Sequence, residues 1–126
     1  MARTVAYVFG AILTVVGLWG FLQNPVLGIF PANSLHSVVH LGTGLILLAI
    51  GVWWSDIGRL VFKIFGIVYV LLAIAGFVMG GDMVFGLIDN NLPDQILHLA
   101  LGAVFLWAGF MANRSALASP VAGEIV

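Results

Sequence analysis

Three histidines and one aspartate have the types and the spacing to do chemistry in this sequence. His36 and His40 are four residues apart, and so are Asp94 and His98. Side chains four apart lie on one face of a helix, so the members of each pair can point to the same place. Imidazole nitrogens and carboxylate oxygens are ligands of zinc, copper and iron. If the two faces meet, these four residues predict a metal site with three nitrogen donors and one oxygen donor.

Two other interpretations of the same histidines stay open. In a structural interpretation, the imidazoles are neutral and hydrogen-bond across the molecule to loop carbonyls, to Asn33 or Asn91, or to each other. In a haem interpretation, His40 and His98 are the two axial ligands of a haem b. No Lys or Arg lies in the flanking segments 23–34 and 80–91 to hold the haem propionates. We expect no cofactor, and zinc, copper, iron or haem b is the alternative.

Asn33 and Asn91 precede the two pairs and are the predicted N-caps of the helices that carry them. From the third helical position, His36 and Asp94 can reach back to the amide of the cap residue, which would explain half of the set without a metal. His40 lies about 10 Å beyond its cap along the helix axis, at a rise of 1.5 Å per residue. An ionisable side chain at that depth in an apolar helix is a functional candidate.

The elements that position these residues are strongly apolar. Hydrophobic residues make up 63% of the 126 residues and charged residues 7%, whereas soluble domains carry about 25% charge. Crossing a hydrocarbon core of about 30 Å takes about 20 helical residues. Four stretches meet this requirement: Val5 to Leu22, Leu35 to Trp54, Leu60 to Met79 and Leu92 to Ala112. We predict an all-α membrane protein, a four-transmembrane-helix bundle in a single domain of residues 1–114, with a short cytoplasmic tail of residues 115–126.

The sequence contains two tandem copies of a helix pair. Gly10 recurs as Gly66, 56 positions later, and His40 recurs as His98, 58 positions later. The copies cover residues 5–54 and 60–112. Because each copy has two helices, both enter the membrane in the same sense, which predicts a pseudo-twofold axis along the membrane normal. Matched residues should then face each other across that axis.

Each predicted helix carries two small residues seven positions apart. A heptad period produces a left-handed seam, and in lipid the close approach of backbones at small residues supplies the van der Waals contact. The predicted packing residues are Gly10, Gly17, Gly44, Gly51, Gly66, Ala73, Gly102 and Gly109.

The distribution of charge predicts the orientation and excludes several functions. Arg3, Arg59, Lys63 and Arg114 flank the helices on one side, so the positive-inside rule places both termini in the cytoplasm. A net charge of −1 excludes a nucleic-acid surface, and the absence of cysteine excludes thiolate chemistry. The middles of the helices lack the carboxylates and arginines that ion pathways need. No nucleophile with a neighbouring base indicates a catalytic site, and we expect no enzyme.

The motifs of both copies resemble a known family. The run Asn33-x-x-His36-x-x-x-His40, the glycine-rich first helix and Asp94-x-x-x-His98 are similar to a widespread bacterial family of small four-helix membrane proteins, known as a domain of unknown function. The resemblance covers nearly the whole chain. It implies the four-helix topology and a location in the bacterial inner membrane, but no activity. The aspartate of the second copy departs from a symmetric site of four histidines.

These observations predict a non-catalytic integral membrane protein. Its expected role is that of an accessory or structural subunit that associates with itself or with a larger membrane complex. The expected partners are the lipid bilayer and other membrane protein subunits, not nucleic acid. The alternative is a metal- or haem-binding redox or sensing protein that uses His40 and His98 near the outer face.

Overall fold

The computed structural model describes residues 1–53 and 56–118, including the side chains of all of these except residues 112–118. In this part of the chain the elements are the helices α1 (Ala2–Leu22), α2 (Ser34–Val52), α3 (Asp56–Met79) and α4 (Leu92–Ala118) and the short strands β1 (Met83–Val84) and β2 (Ile88–Asp89). The two strands pair antiparallel between α3 and α4. All four helices are long and apolar enough to cross a membrane. The predicted all-α, four-helix membrane fold is therefore confirmed.

Two helices begin three or four residues earlier than the hydropathy predicts. Helix α1 begins at Ala2 instead of Val5, and α3 begins at Asp56 instead of Leu60. Hydropathy marks the residues that fit into hydrocarbon, whereas the backbone hydrogen-bond ladder continues into the polar interface. The middle basic residues Arg59 and Lys63 consequently lie within the first turns of α3 and not in a loop.

Helix α4 also extends beyond its predicted end at Ala112 and continues to Ala118. The first residues of the predicted tail, 115–118, are thus helical. The rest of that tail, residues 119–126, and the predicted end of the second span at Trp54 lie outside the described residues.

The bundle is built from two closely packed helix pairs, α1 with α2 and α3 with α4. A Cβ atom at Gly17 would lie 2.5 Å from the backbone nitrogen of Leu41, and one at Gly102 would lie 2.9 Å from that of Val70. Only glycine allows backbones to approach so closely. The other predicted packing residues lie at these same helix contacts or, for the alanine, in the buried interior: Gly10, Gly44, Gly51, Gly66, Ala73 and Gly109.

Larger side chains fill the buried interior of the bundle. The ring of Phe105 in α4 lies 5.7 Å, between centroids, from each of the rings of Phe9, Phe62 and Tyr69. The edge-on geometry of Phe9 and Tyr69 against Phe105 is the favoured arrangement for aromatic pairs. Leu47 of α2 belongs to the same buried cluster. Small residues thus pack within each pair, and the contact of Phe9 with Phe105 joins the two pairs.

Loops 23–33 and 80–91 close one end of the bundle, here called the histidine end because α2 and α4 begin there with their histidines. Each loop makes a tight turn through two residues with positive φ, Leu27 and Gly28 (φ 55° and 71°) in the first and Phe85 and Gly86 (φ 53° and 67°) in the second. Two consecutive positive φ values characterise a type I′ turn. An antiparallel bridge flanks each turn. The turns are 58 positions apart, as are the matched histidines. The pseudo-twofold relation of the helix pairs stays a prediction.

Candidate metal centre

The two asparagines fix where the histidine-bearing helices begin. Asn33 Oδ1 accepts a hydrogen bond from the backbone nitrogen of His36 at 3.0 Å, and Asn91 Oδ1 accepts one from that of Asp94 at 2.9 Å. Both predicted N-caps are thus present as side-chain caps. The cap uses the backbone N–H of His36, which leaves the imidazole free. That ring does not reach back to its cap but points into the bundle.

The same asparagines also join the two loops of the histidine end. Asn33 Nδ2 donates a hydrogen bond to the carbonyl oxygen of Leu87 at 2.8 Å. In return, Asn91 Nδ2 donates one to the carbonyl oxygen of Ile29 at 2.7 Å. Each asparagine therefore starts its own helix and holds the loop of the other helix pair. The two hydrogen bonds tie both loops over the histidines.

Three imidazoles meet beneath these loops. One ring nitrogen from each of His36, His40 and His98 lies within 4.8 Å of the other two, and all three residues are buried. His36 Nε2 and His98 Nε2 are 3.4 Å apart. Two nitrogens bound to one tetrahedral zinc at about 2.0–2.1 Å are about 3.3 Å apart. The spacing of these two nitrogens therefore fits a shared metal ion, and it also fits a hydrogen bond between the two rings.

Asp94 lies at the edge of this group. Its Oδ2 is 3.4 Å from His98 Nδ1, and its Oδ1 is 3.9 Å from His36 Nε2. The carboxylate does not belong to the set of atoms that converge within 4.8 Å. The structure thus brings together all four residues of the predicted site, but it separates three converging nitrogens from one carboxylate beside them.

Several polar atoms of this cluster have no hydrogen-bond partner among the described residues. They are both ring nitrogens of His40, Nδ1 of His36 and Oδ2 of Asp94. A buried polar atom without a partner destabilises a protein by about 1–3 kcal/mol. Such atoms call for an explanation, and a bound ion or water is one. Here all of them come from residues that line one cavity.

The cavity has a volume of about 10 Å³ and is lined by the three histidines, Asp94 and a few neighbours of α2, α3 and the β hairpin. That volume is close to the smallest that holds one water molecule, about 10–15 Å³. The site therefore has room for a single small ion and its immediate ligands. A haem, with its flat macrocycle, does not fit between these rings.

Tyr69 of α3 is the member of this site that the sequence did not reveal. Its ring lies 5.4 Å from that of His98 and 6.4 Å from that of His40, between centroids. Its hydroxyl donates a hydrogen bond to Thr43 Oγ1 at 3.2 Å. Tyr69 thus forms an aromatic wall of the cavity, and its hydroxyl is held by Thr43. The sequence feature that could have identified it is a tyrosine in the middle of an otherwise apolar helix.

Among known proteins, one family matches this chain. The family model described as "Domain of unknown function (DUF4383)" matches residues 3–111. No curated protein and no solved structure matches the chain. The matched range includes both asparagine caps, all three histidines and Asp94.

Proposed function

The chain belongs to the DUF4383 family, a family of unknown function, and we propose that it is a membrane protein that binds one divalent transition-metal ion through His36, His40 and His98. The observation that carries this proposal is the convergence of three buried imidazole nitrogens within 4.8 Å. Among the unpartnered polar atoms are both ring nitrogens of His40, one of which a metal ion would engage.

The donor set indicates the class of ion. Imidazole nitrogens suit zinc, copper, iron and nickel, whereas calcium and magnesium prefer oxygen ligands. Three histidines with a fourth, open position form a known type of zinc site, in which water occupies the fourth position. The small cavity favours a single ion over haem b, which is predicted from the sequence only as another alternative to the expected absence of a cofactor. Zinc and copper are the ions that we expect to bind most tightly.

The accessory role predicted from the sequence is compatible with this proposal, because a non-catalytic subunit of a membrane complex can carry a metal ion. The absence of catalysis, the partners and the inner-membrane location stay predictions. With both termini in the cytoplasm, as the basic residues predict, the histidine end faces the outside of the cell. The metal would then come from that side.

The experiment is a metal titration of the purified protein in detergent micelles. The protein is stripped with a chelator, titrated with Zn²⁺ and analysed for bound metal after removal of the excess. We expect one zinc per chain in the wild type. His40→Ala removes a ligand and should lower the affinity for Zn²⁺ by more than about 100-fold, because the loss of a group that only supports a ligand already lowers it by about 10–100-fold. Substitution with Co²⁺ should give the visible bands of a tetrahedral nitrogen site.

Ser37→Ala is the matched control. Ser37 lies on α2 between the two histidines, is equally buried, and its hydroxyl donates a hydrogen bond to the carbonyl oxygen of Ala32 at 3.3 Å. This variant should bind Zn²⁺ like the wild type. Wild-type protein that binds no more Zn²⁺ than His40→Ala, or that shows no tetrahedral Co²⁺ spectrum, would contradict the proposal.

A further inference from the structure

Asp94 carries a buried carboxylate next to the three histidines without converging on the same point. Its Oδ2 lies 3.4 Å from Nδ1 of His98. The other ring nitrogen of His98, Nε2, is the one that lies 3.4 Å from His36 Nε2. Asp94 Oδ2 therefore lies beside one nitrogen of His98 and the proposed ion beside the other, while Asp94 Oδ1 is 3.9 Å from His36 Nε2.

We infer that Asp94 is a positioning residue that orients His98 for the ion, an inference that rests on the proposed metal site. In this role the carboxylate would accept the Nδ1–H of His98, which is 3.4 Å away, and so leave the lone pair on Nε2, pointing into the cavity. In a neutral imidazole, the hydrogen bond at one nitrogen determines which nitrogen is free to bind a metal. Carboxylate–histidine–metal arrangements of this kind fix the ring and raise its basicity as a ligand.

The burial of Asp94 supports this role over that of an ordinary first-turn acid. A carboxylate at the start of a helix can interact with the helix dipole while it stays in water. Asp94 is instead only 2% exposed, and its Oδ2 has no aligned hydrogen bond. A buried charge in an apolar bundle is unfavourable unless it is paired. A divalent ion held by three neutral imidazoles would supply the opposite charge.

The first test compares the Zn²⁺ affinity of Asp94→Asn with that of the wild type. We expect an affinity about 10–100-fold lower, the usual effect of losing a partner of a metal-bound histidine. The Co²⁺ spectrum should keep its tetrahedral form, because the nitrogen ligands are unchanged. Asp82→Asn is the control, since it removes an exposed carboxylate from the same end of the bundle that does not line the cavity. It should leave the affinity unchanged.

A double-mutant cycle separates positioning from a structural role. If Asp94 acts through His98, then Asp94→Asn should have little further effect on Zn²⁺ binding in a His98→Ala background. Independent, additive losses would overturn the inference, and so would wild-type affinity in Asp94→Asn. A Co²⁺ spectrum that changes its ligand field in Asp94→Asn would show Asp94 to be a direct ligand instead.

A measurement on the wild type covers the case in which a variant fails to fold. In protein labelled with ¹⁵N-histidine and loaded with Zn²⁺, the resonances of His98 should report a protonated Nδ1 and a metal-bound Nε2. The opposite tautomer would overturn the role of Asp94 while leaving the metal site intact. Absence of Zn²⁺ binding by the wild type would instead defeat the proposed function itself.

Discussion

The two helix pairs contribute differently to the candidate metal centre. The first pair brings two histidines, and the second brings one histidine and one aspartate at the matched positions. His98 has Asp94 at 3.4 Å on one side of its ring and His36 at 3.4 Å on the other. Its counterpart His40 has no hydrogen-bond partner at either ring nitrogen among the described residues. The two equivalent histidines are thus held in different ways.

This difference suggests a division of tasks within the site. Neighbouring polar groups orient His98, whereas packing alone holds His40 in place. A buried imidazole without partners destabilises the metal-free protein. Residues that are retained at the expense of stability are typical of functional sites. The comparison therefore predicts that the two histidines contribute alike to metal binding and oppositely to stability.

The largest expected effect comes from replacing each histidine with leucine, which has a similar volume. His98→Leu leaves the buried carboxylate of Asp94 without its imidazole neighbour and should lower the free energy of unfolding of the metal-free protein by about 3 kcal/mol, because a buried charged acceptor loses the donor nearest to it. His40→Leu removes two unpartnered nitrogens and should be neutral or slightly stabilising. Unfolding by SDS in mixed micelles measures both. Equal destabilisation by the two variants would remove the distinction between the histidines.

A smaller effect is expected at the seams inside the two helix pairs. Gly17 of α1 matches Ala73 of α3, 56 positions later, so the second pair already accommodates a methyl group there. At Gly17 a Cβ would lie 2.5 Å from the backbone nitrogen of Leu41. Gly17→Ala must push α1 and α2 apart and should lower the free energy of unfolding by about 2 kcal/mol, as overpacking does.

The control for this seam is Gly42→Ala on α2, because no atom lies within 4 Å of a Cβ at that position. It should be neutral or stabilising, since alanine is the better helix former. The reverse change in the second pair, Ala73→Gly, should cost about 1 kcal/mol through lower helix propensity. If Gly17→Ala is as stable as Gly42→Ala, the close contact between α1 and α2 does not hold in the membrane protein.

The sequence predicts features that lie within one helix better than it predicts contacts between helices. Hydropathy and the four-residue spacing predict the helices and the shared face of His36 and His40, because both follow from helix geometry alone. The interpretation of His36 as part of a cap is incomplete, since its backbone makes the cap while its ring contacts His98. The position of Asp94 beside His98, and that of Tyr69 beside both, depend on distances between helices. No spacing within one helix encodes these distances.

The smallest expected effect concerns the asparagine caps, a feature that the two helix pairs have in common. Asn33 and Asn91 each cap a helix and donate a hydrogen bond to the opposite loop. Asn33→Ala and Asn91→Ala should each lower the free energy of unfolding by about 1 kcal/mol, the usual contribution of an N-cap. The hydrogen bonds to the loops are exposed and should add little, because water replaces them.

The informative quantity in this last prediction is the difference between the two asparagine variants, measured in the same SDS titration. Matched positions with matched contacts should give equal losses, within about 0.5 kcal/mol. Asn33→Asp and Asn91→Asp then separate the two roles, because aspartate keeps the cap and loses the donor to the opposite loop. Unequal losses would mean that the two loops differ in stability, so that the asymmetry of the histidines extends to the elements that cover them. Equal losses would confine the asymmetry to the cavity, where Asp94 replaces a histidine.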